Sequence, residues 1–417
     1  MLSWEYPPRV VGGIARHVRD LAHGLVAQGV KVTVVTPAAE GAPSYEKEGL
    51  LSVCRVPSGH PRAMDFTGRV MQLNFDFLQE TLALVYSGER FDLVHAHDWV
   101  TAYAARAIKH GLGLPLFATI HATEWGRNNG LHNDLQRHIS DLEWWLCYEA
   151  WRVICCSHHM RGELVHVFQL PADKIRLIPN GVYPAEFVTP PVPAGFRERY
   201  AAPDERIVFH VGRLVREKGV DVLLEAFARL LARFPQAKLV VAGRGPHEEA
   251  LHEHARRLGI YQRVYFTGYI DDTTRNLLYH LADAVVFPSL YEPFGIVALE
   301  AMAAGAPLLV ADTGGLGEIV VHGRNGLKAR SGAPVSLAEN LLWMLENPAR
   351  TAGMRRQARE DVRNFYDWEK IALRTVEAYE EVLTEQARIR PDGIPARSFS
   401  RMDREGGWPD RYREAIG

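Results

Sequence analysis

One pattern constrains this chain more than any other. Short runs rich in valine and isoleucine recur along most of its length, each followed by a stretch of helical periodicity. Lys31–Thr36, Phe91–Ala96, Pro115–Ile120 and Val153–Cys156 are the runs of the first half. Arg206–Val211, Ala237–Ala242, Arg263–Thr267, Ala284–Pro288 and Pro307–Ala311 are those of the second. Runs that stay apolar at successive positions suit strands buried on both faces, as in a parallel sheet. Between the strands, apolar residues return once per helical turn. Ile14, Val18, Leu21, Leu25 and Val26 mark one face of the first helix. This alternation predicts an α/β fold with right-handed crossovers.

The alternation is interrupted once. Between Tyr183 and Pro203 stand Pro184, Pro190, Pro191, Pro193 and Pro203, with no strong periodicity, which reads as a semi-rigid linker. It divides the 417 residues into two stretches, each of a length for one doubly wound domain. The expected units are 1–185, a linker over 186–204, and 205–365. Helices follow, and an Arg/Asp/Gly-rich surface tail spans 388–417. Hydrophobic residues make up 47 % and charged residues 24 %, which excludes a disordered chain, a fibre and a multi-span membrane protein. The longest apolar stretch, Ile296–Ala311, is broken by Glu300 and Pro307 and falls short of the ~18 residues a span needs. A net charge of -2 argues against a dedicated nucleic-acid binder. Four cysteines without a Cys-x-x-Cys pair read as reduced thiols of a cytoplasmic protein.

In doubly wound folds ligands bind outside the carboxyl ends of the strands. Four loops there carry suitable residues. Glu5–Gly13 precedes the first helix, and its paired Gly12 and Gly13 would let backbone amides approach an anion; a tight turn would use the same residues. Gly212–Gly219 places Arg213, Arg216 and Lys218 at a helix start, where the dipole disfavours cations. A bound diphosphate would account for them, with Arg213 as a fork donor and Lys218 as a point charge. Tyr291–Ala301 carries Glu292 in a loop punctuated by Pro293 and Gly295. Glu300 follows on an apolar helix, where a carboxylate is either buried against a partner or directed at a ligand hydroxyl. The amides of Phe294, Gly295 and Ile296 would face the cleft. His121 ends a strand, a position open to a site role or a structural one.

Other motifs lead nowhere. His95 and His97 share one face of a strand, but no further ligand stands at a recognisable spacing, so no metal site is expected. Gly243-Arg244-Gly245 begins like a dinucleotide fingerprint, yet Glu248 occupies the place of its third glycine. There is no Walker loop and no Asp-x-Asp. Asp271 and Asp272 are expected to cap a helix.

Taken in order, these residues resemble the retaining GT-B glycosyltransferases of family four, which include glycogen synthases and sucrose-phosphate synthases. The resemblance runs from Ser3 to about Glu385. Its most specific part is the Glu-x7-Glu motif, Glu292 to Glu300, within EPFGIVALEAMAAGAP. Gly12-Gly13, Gly212-Arg213 with Lys218, Asn180-Gly181 and Gly314-Gly315 support it. It implies two Rossmann-like domains facing across a cleft, with C-terminal helices (366–387, Trp368 at their junction) crossing back to the first. It also implies a nucleoside-diphosphate sugar as donor, a carbohydrate acceptor, and neither metal nor other cofactor. Arg213 and Lys218 would hold the diphosphate, with Gly13 bringing an amide from across the cleft and Gly12 beside it in the donor-binding set. Glu300 would bind the ribose. Glu292 and the segment Phe294, Gly295, Ile296 and Val297 would grip the donor sugar. His121 would lie near that sugar's C6 oxygen, and Tyr269 and Ile270 would contact the base. His121, Glu292, Arg213 and Lys218 form the expected catalytic set.

Trp4–Pro8 with Gly12-Gly13 and His17-Val18 is most similar to the glycogen-synthase-like prokaryotic branch, including members that build maltosyl phosphate. Val10 stands where the ADP-glucose starch and bacterial glycogen synthases carry lysine. The expected reaction is transfer of a hexose, glucose first, to an α-glucan or related sugar. A sugar phosphate, lipid or polysaccharide acceptor, or a GT-B-fold UDP-sugar epimerase, are the alternatives. Trp125, Trp144, Trp145 and Trp151 would suit stacking on a glucan or packing into the core. The donor base and the oligomeric state stay open. The family's opening motif normally ends a longer strand, whereas only Met1–Ser3 precede Trp4. That leads to the expectation of a natural start a few codons upstream.

Overall fold

The computed structural model describes residues 1–57, 65–188 and 191–389; most of the expected tail lies outside them. Two parallel sheets form. In the first half the strands are β1 (Val32–Pro37), β2 (Tyr45–Glu48), β3 (Leu51–Val56), β4 (Val94–His97), β5 (Leu116–Ile120), β6 (Arg152–Cys155) and β7 (Ile175–Leu177). They pair as β2-β3-β1 and β4-β5-β6-β7, all parallel except β2 against β3. Met1–Ser3 join the two groups. Leu2 N–H donates to His95 O at 2.8 Å, His97 N–H to Leu2 O at 3.0 Å, and Val35 N–H to Met1 O at 2.9 Å. The first strand is thus central, as in a doubly wound sheet, and its three residues serve both neighbours.

The second half contains β8 (Arg206–Val211), β9 (Ala237–Ala242), β10 (Val264–Gly268), β11 (Ala284–Phe287), β12 (Leu308–Asp312) and β13 (Leu327–Arg330). Their order, β10-β9-β8-β11-β12-β13, is that of a doubly wound sheet whose order reverses between β8 and β11. The strands expected from apolar runs are found within a few residues. β2, β3, β7 and β13 were not anticipated. β2 is exposed and charged, β7 has three residues, and β13 carries Lys328 and Arg330 among its four.

The last helix, Trp368–Ile389, returns to the first half and lies along the helix Gly13–Ala27. A Cβ on Gly24 would come within 2.8 Å of Ala372 Cβ, so the approach requires glycine there. Trp368, Ile371, Tyr379 and Val382 are buried with Val18, Leu21 and Leu25. The linker is docked rather than free: Phe187, Phe196 and Tyr200 are buried, and Asn276 donates to Glu186 O. The halves also touch beside the cleft. Ser157 Oγ donates to Pro293 O at 2.6 Å, and the amides of His158 and His159 donate to the Glu318 carboxylate at 2.9 and 2.7 Å. Glu318 therefore caps a helix of the other half, where an anion is favoured. All four cysteines are buried and free. No helix among the described residues is long and apolar enough to cross a membrane.

Candidate active site

Each sheet presents its switch point to the same cleft. The central strand Met1–Ser3 runs into Glu5–Gly13, and β8 and β11 run into Gly212–Gly219 and Ser289–Gly295. A Cβ built on Gly13 would lie 3.5 Å from Ile296 Cδ1, so the first glycine loop and the Glu-x7-Glu helix face each other at van der Waals distance.

On the C-terminal wall, Arg213 is exposed directly after β8. Lys218 closes a 3-10 turn, Arg216–Lys218, ahead of the helix Val220–Leu231. Gly219 follows with φ +63°, and a Cβ there would fall 2.2 Å from Pro288 O. Only glycine lets the β8 loop press against the β11 loop this closely. Lys218 Nζ donates to Glu292 Oε2 at 2.6 Å, and Ser289 Oγ supports the same oxygen at 3.3 Å. Lys218 thus has a protein partner of its own, and two residues of the expected catalytic set are in direct contact. Gly243 and Gly245 support this wall. A Cβ on either would meet the backbone of Gly212 or Leu214 within 2.3 Å, so these glycines serve packing.

The helix Ile296–Ala304 starts at Gly295, whose φ is +107°. Its first-turn amides, at Ile296 and Val297, have no i−4 partner within the helix. Phe294 is buried, and Ile296 and Val297 are half-buried. Gly315 N–H donates to Glu292 O at 2.9 Å, which explains the glycine pair Gly314-Gly315 as a floor beneath the loop. Tyr269 is 78 % exposed at the end of β10, beside the half-buried Ile270.

Glu300 is 3 % exposed and not free. Tyr279 Oη donates to it at 3.1 Å, Arg275 lies 3.5 Å away, and Arg16 from the opposite wall forms an ion pair with it. Arg16 also donates to both oxygens of Asp272 at 2.9 Å. Both readings of Glu300 meet here, since the carboxylate is buried against partners at the cleft. Arg16 is a cleft residue that sequence reasoning missed. It stands in the first turn of a helix, the same misplaced-cation signal that marks Arg213.

The N-terminal wall is built differently. Glu5 is 1 % exposed, and its Oε2 accepts from Val11 N–H at 2.7 Å and Gly12 N–H at 2.8 Å. The Gly12 amide is thus used inside the loop. Burial raises the Glu5 carboxyl above its usual range, while the two amides and the charge of Arg213 across the cleft hold it down. His121 follows β5, and its amide donates to Asp98 Oδ1 at 2.7 Å. Asp98 takes a left-handed φ of 60°, and burial pushes its carboxyl up to about 7. His121 Nε2 lies 3.2 Å from His97 Nδ1, and the His17 ring packs edge-on against His121 at 4.6 Å. Burial lowers His121 to about 3 and holds His17 and His97 far below the ordinary range, so these rings are neutral near pH 7. His95 is taken up by Tyr379 and Thr119 at 2.6 and 2.7 Å. Spacing did not link His17 and His97 to His121, because they come from a helix and another strand.

The tryptophans divide. Trp145 packs on Tyr103 and the core, and Trp151 joins the core of the first sheet. Trp144 is exposed and stacks on Tyr148 at 5.4 Å, away from these packing contacts. Asp271 caps its helix as expected, while Asp272 pairs with Arg16 and Arg275.

Residues 11–186 match the family described as Glycosyltransferase Family 4, and residues 195–361 match Glycosyl transferases group 1. An uncharacterized glycosyltransferase of Methanocaldococcus jannaschii is 37 % identical over 91 % of this chain and 97 % of its own. A glycogen synthase of Mycobacterium tuberculosis is 35 % identical over 91 % of this chain and 93 % of its own. Among solved structures, a sucrose-phosphate synthase from Thermosynechococcus elongatus superposes with a TM-score of 0.78 at 26 % identity, covering 90 % of this chain and 94 % of that one. With two switch points facing one cleft and relatives alike over nearly their full lengths, the chain belongs to the family four glycosyltransferases of GT-B fold.

Proposed function

We propose that this glycosyltransferase moves a hexose, glucose first, from a nucleoside-diphosphate sugar to an α-glucan or related sugar acceptor, with retention at the anomeric carbon. The observation that carries the reading is the C-terminal wall: exposed Arg213 beside the Lys218–Glu292 pair, at the start of the Glu-x7-Glu helix. Breaking a sugar–phosphate bond leaves negative charge on the diphosphate and positive charge on the sugar. Arg213, the first-turn amides at Ile296 and Val297, and Lys218 once turned from Glu292 would face the departing diphosphate as the bond breaks and stabilise its charge. Gly13 closes this site from the other wall. Lys218 would shift from Glu292 toward the phosphate when donor enters, and Glu292 would then accept from the sugar's hydroxyls. Glu300 would exchange Arg16 for the ribose, Tyr269 and Ile270 would border the base, and neutral His121 would hydrogen-bond the donor sugar. With no enzyme nucleophile needed, the acceptor would attack from the leaving-group side and pass its proton to a phosphate oxygen.

The glucan reading is supported by the glycogen synthase at 35 % identity. The cations Arg213 and Lys218 take the part a metal plays elsewhere, so transfer is proposed to be metal-independent. Buried, free thiols fit a reducing, cytoplasmic setting. The test crosses ADP-, UDP- and GDP-sugars with maltooligosaccharides, glucose 1-phosphate and fructose 6-phosphate, following nucleotide release and product anomer by NMR. Acceptor-dependent release with an α-linked product supports the reading. A β-linked product, or turnover only with non-glucan acceptors, contradicts it.

A further inference from the structure

We propose that His17, His97 and His121 form a binding site for a divalent transition ion of the zinc class at the base of the cleft, and that its occupancy inhibits transfer. The inhibitory half rests on the role given above to His121; the binding half does not.

The three residues come from separate, well-packed elements: the helix Gly13–Ala27, the end of β4, and the position after β5. One ring nitrogen from each lies within 4.8 Å of the others. The 3.2 Å between His97 Nδ1 and His121 Nε2 is close to the ~3.3 Å that two zinc–nitrogen bonds of a tetrahedral site enclose. A second, independent observation points to a missing partner. His97 is fully buried and its Nε2 has no hydrogen bond; His17 beside it is 6 % exposed, with the Asn180 side chain as its polar neighbour. Buried polar atoms are ordinarily paired, and a ligand would use the vacant lone pair. Neutral imidazole is the ligating form of histidine.

The donor set selects the ion. Three imidazoles without a carboxylate or carbonyl ligand suit zinc, copper or nickel and are poor ligands for magnesium or calcium. Asp98 holds the backbone of His121 and places a carboxyl nearby, while Trp368 closes the far side of His17 at 5.3 Å. His121 is the one ligand partly exposed to the cleft, so the fourth position opens there. That is where the donor sugar is proposed to lie. A bound ion would engage the His121 nitrogen and compete with the sugar.

Chelator-treated protein titrated with Co2+ tests the site without any turnover. The expected result is the visible absorption of four- or five-coordinate cobalt, saturating at one ion per chain and displaced by Zn2+. His17→Gln and His97→Asn should each weaken binding at least tenfold, while His322→Gln, in the other half of the chain, should not. Melting curves establish that the variants are folded. In activity assays Zn2+ should inhibit competitively with the donor, and EDTA should reverse it. Absence of the cobalt spectrum at tenfold excess, or a spectrum unchanged in both folded variants, would overturn the site. A bound ion without inhibition, or activity that EDTA abolishes and Zn2+ restores, would overturn the inhibitory role.

Discussion

The two walls of the cleft end equivalent sheets at equivalent switch points, yet they manage charge in opposite ways. The C-terminal wall offers cations: Arg213 is exposed and Lys218 is half-buried on Glu292. The N-terminal wall hides its charge. Glu5 is buried and consumes two loop amides, and the histidines around His121 are held neutral. In the proposed function one wall meets a diphosphate, whereas the other shapes the space in front of it. Arg16 is the exception, a cation of the N-terminal wall that closes the cleft by reaching Glu300 and Asp272.

If this division holds, the largest losses of turnover belong to the C-terminal wall. Arg213→Ala and Lys218→Ala are each expected to lower kcat by at least ~10²-fold, the usual cost of removing one preorganised charge donor. Near-normal rates in both would erase the distinction between the walls. The Lys218 variant also leaves Glu292 without its cation, so Lys218→Ala with Glu292→Gln should lose less than the sum of the two single changes.

Within that wall the two glutamates should separate. Glu300→Gln is expected to weaken nucleoside diphosphate binding roughly tenfold, the scale of one charged hydrogen bond. Glu292→Gln should act on kcat, because Glu292 is proposed to lie beside the reacting sugar. Calorimetry with free nucleotide and steady-state kinetics on both variants read the split; equal nucleotide affinity in the Glu300 variant and the parent would contradict it.

The N-terminal wall should respond through stability first. Glu5→Gln takes the charge from a buried oxygen that accepts two loop amides, at a cost of about 1–3 kcal/mol, seen as a melting temperature lower by several degrees. An unchanged melting temperature would show that the loop does not depend on that carboxylate.

The smallest effect concerns pH. Burial lowers His121 to about 3, so its ring should stay neutral from about pH 8 to pH 5, where an ordinary histidine titrates. Any stability this neutrality carries is present above the unfolded value near 6.5 and is lost as pH falls toward 3. The His121 ring resonances in NMR should therefore not move over that range. A titration centred near 6.5 would mean that the cleft is more open to water than the structure has it.

Legibility followed the same division. β8 and β9 could be read to the residue because both are continuous apolar runs, and Arg213 and Lys218 stood out because helix starts disfavour cations. The partners were not readable. Glu5 pairs with amides six and seven residues away, Arg16 with a carboxylate 284 positions on, and His17, His97 and His121 meet only after three elements pack. Local patterns report burial and helix dipoles, while contacts across a cleft depend on how two sheets are set against each other.

The most direct test of the central claim is calorimetric comparison of nucleoside diphosphate with the bare nucleoside, in the parent protein and in Arg213→Ala. The account predicts that the parent binds the diphosphate at least tenfold more tightly, that Arg213→Ala removes most of this preference, and that nucleoside affinity is unchanged. A preference for the diphosphate that survives in Arg213→Ala would contradict the assignment of the C-terminal wall.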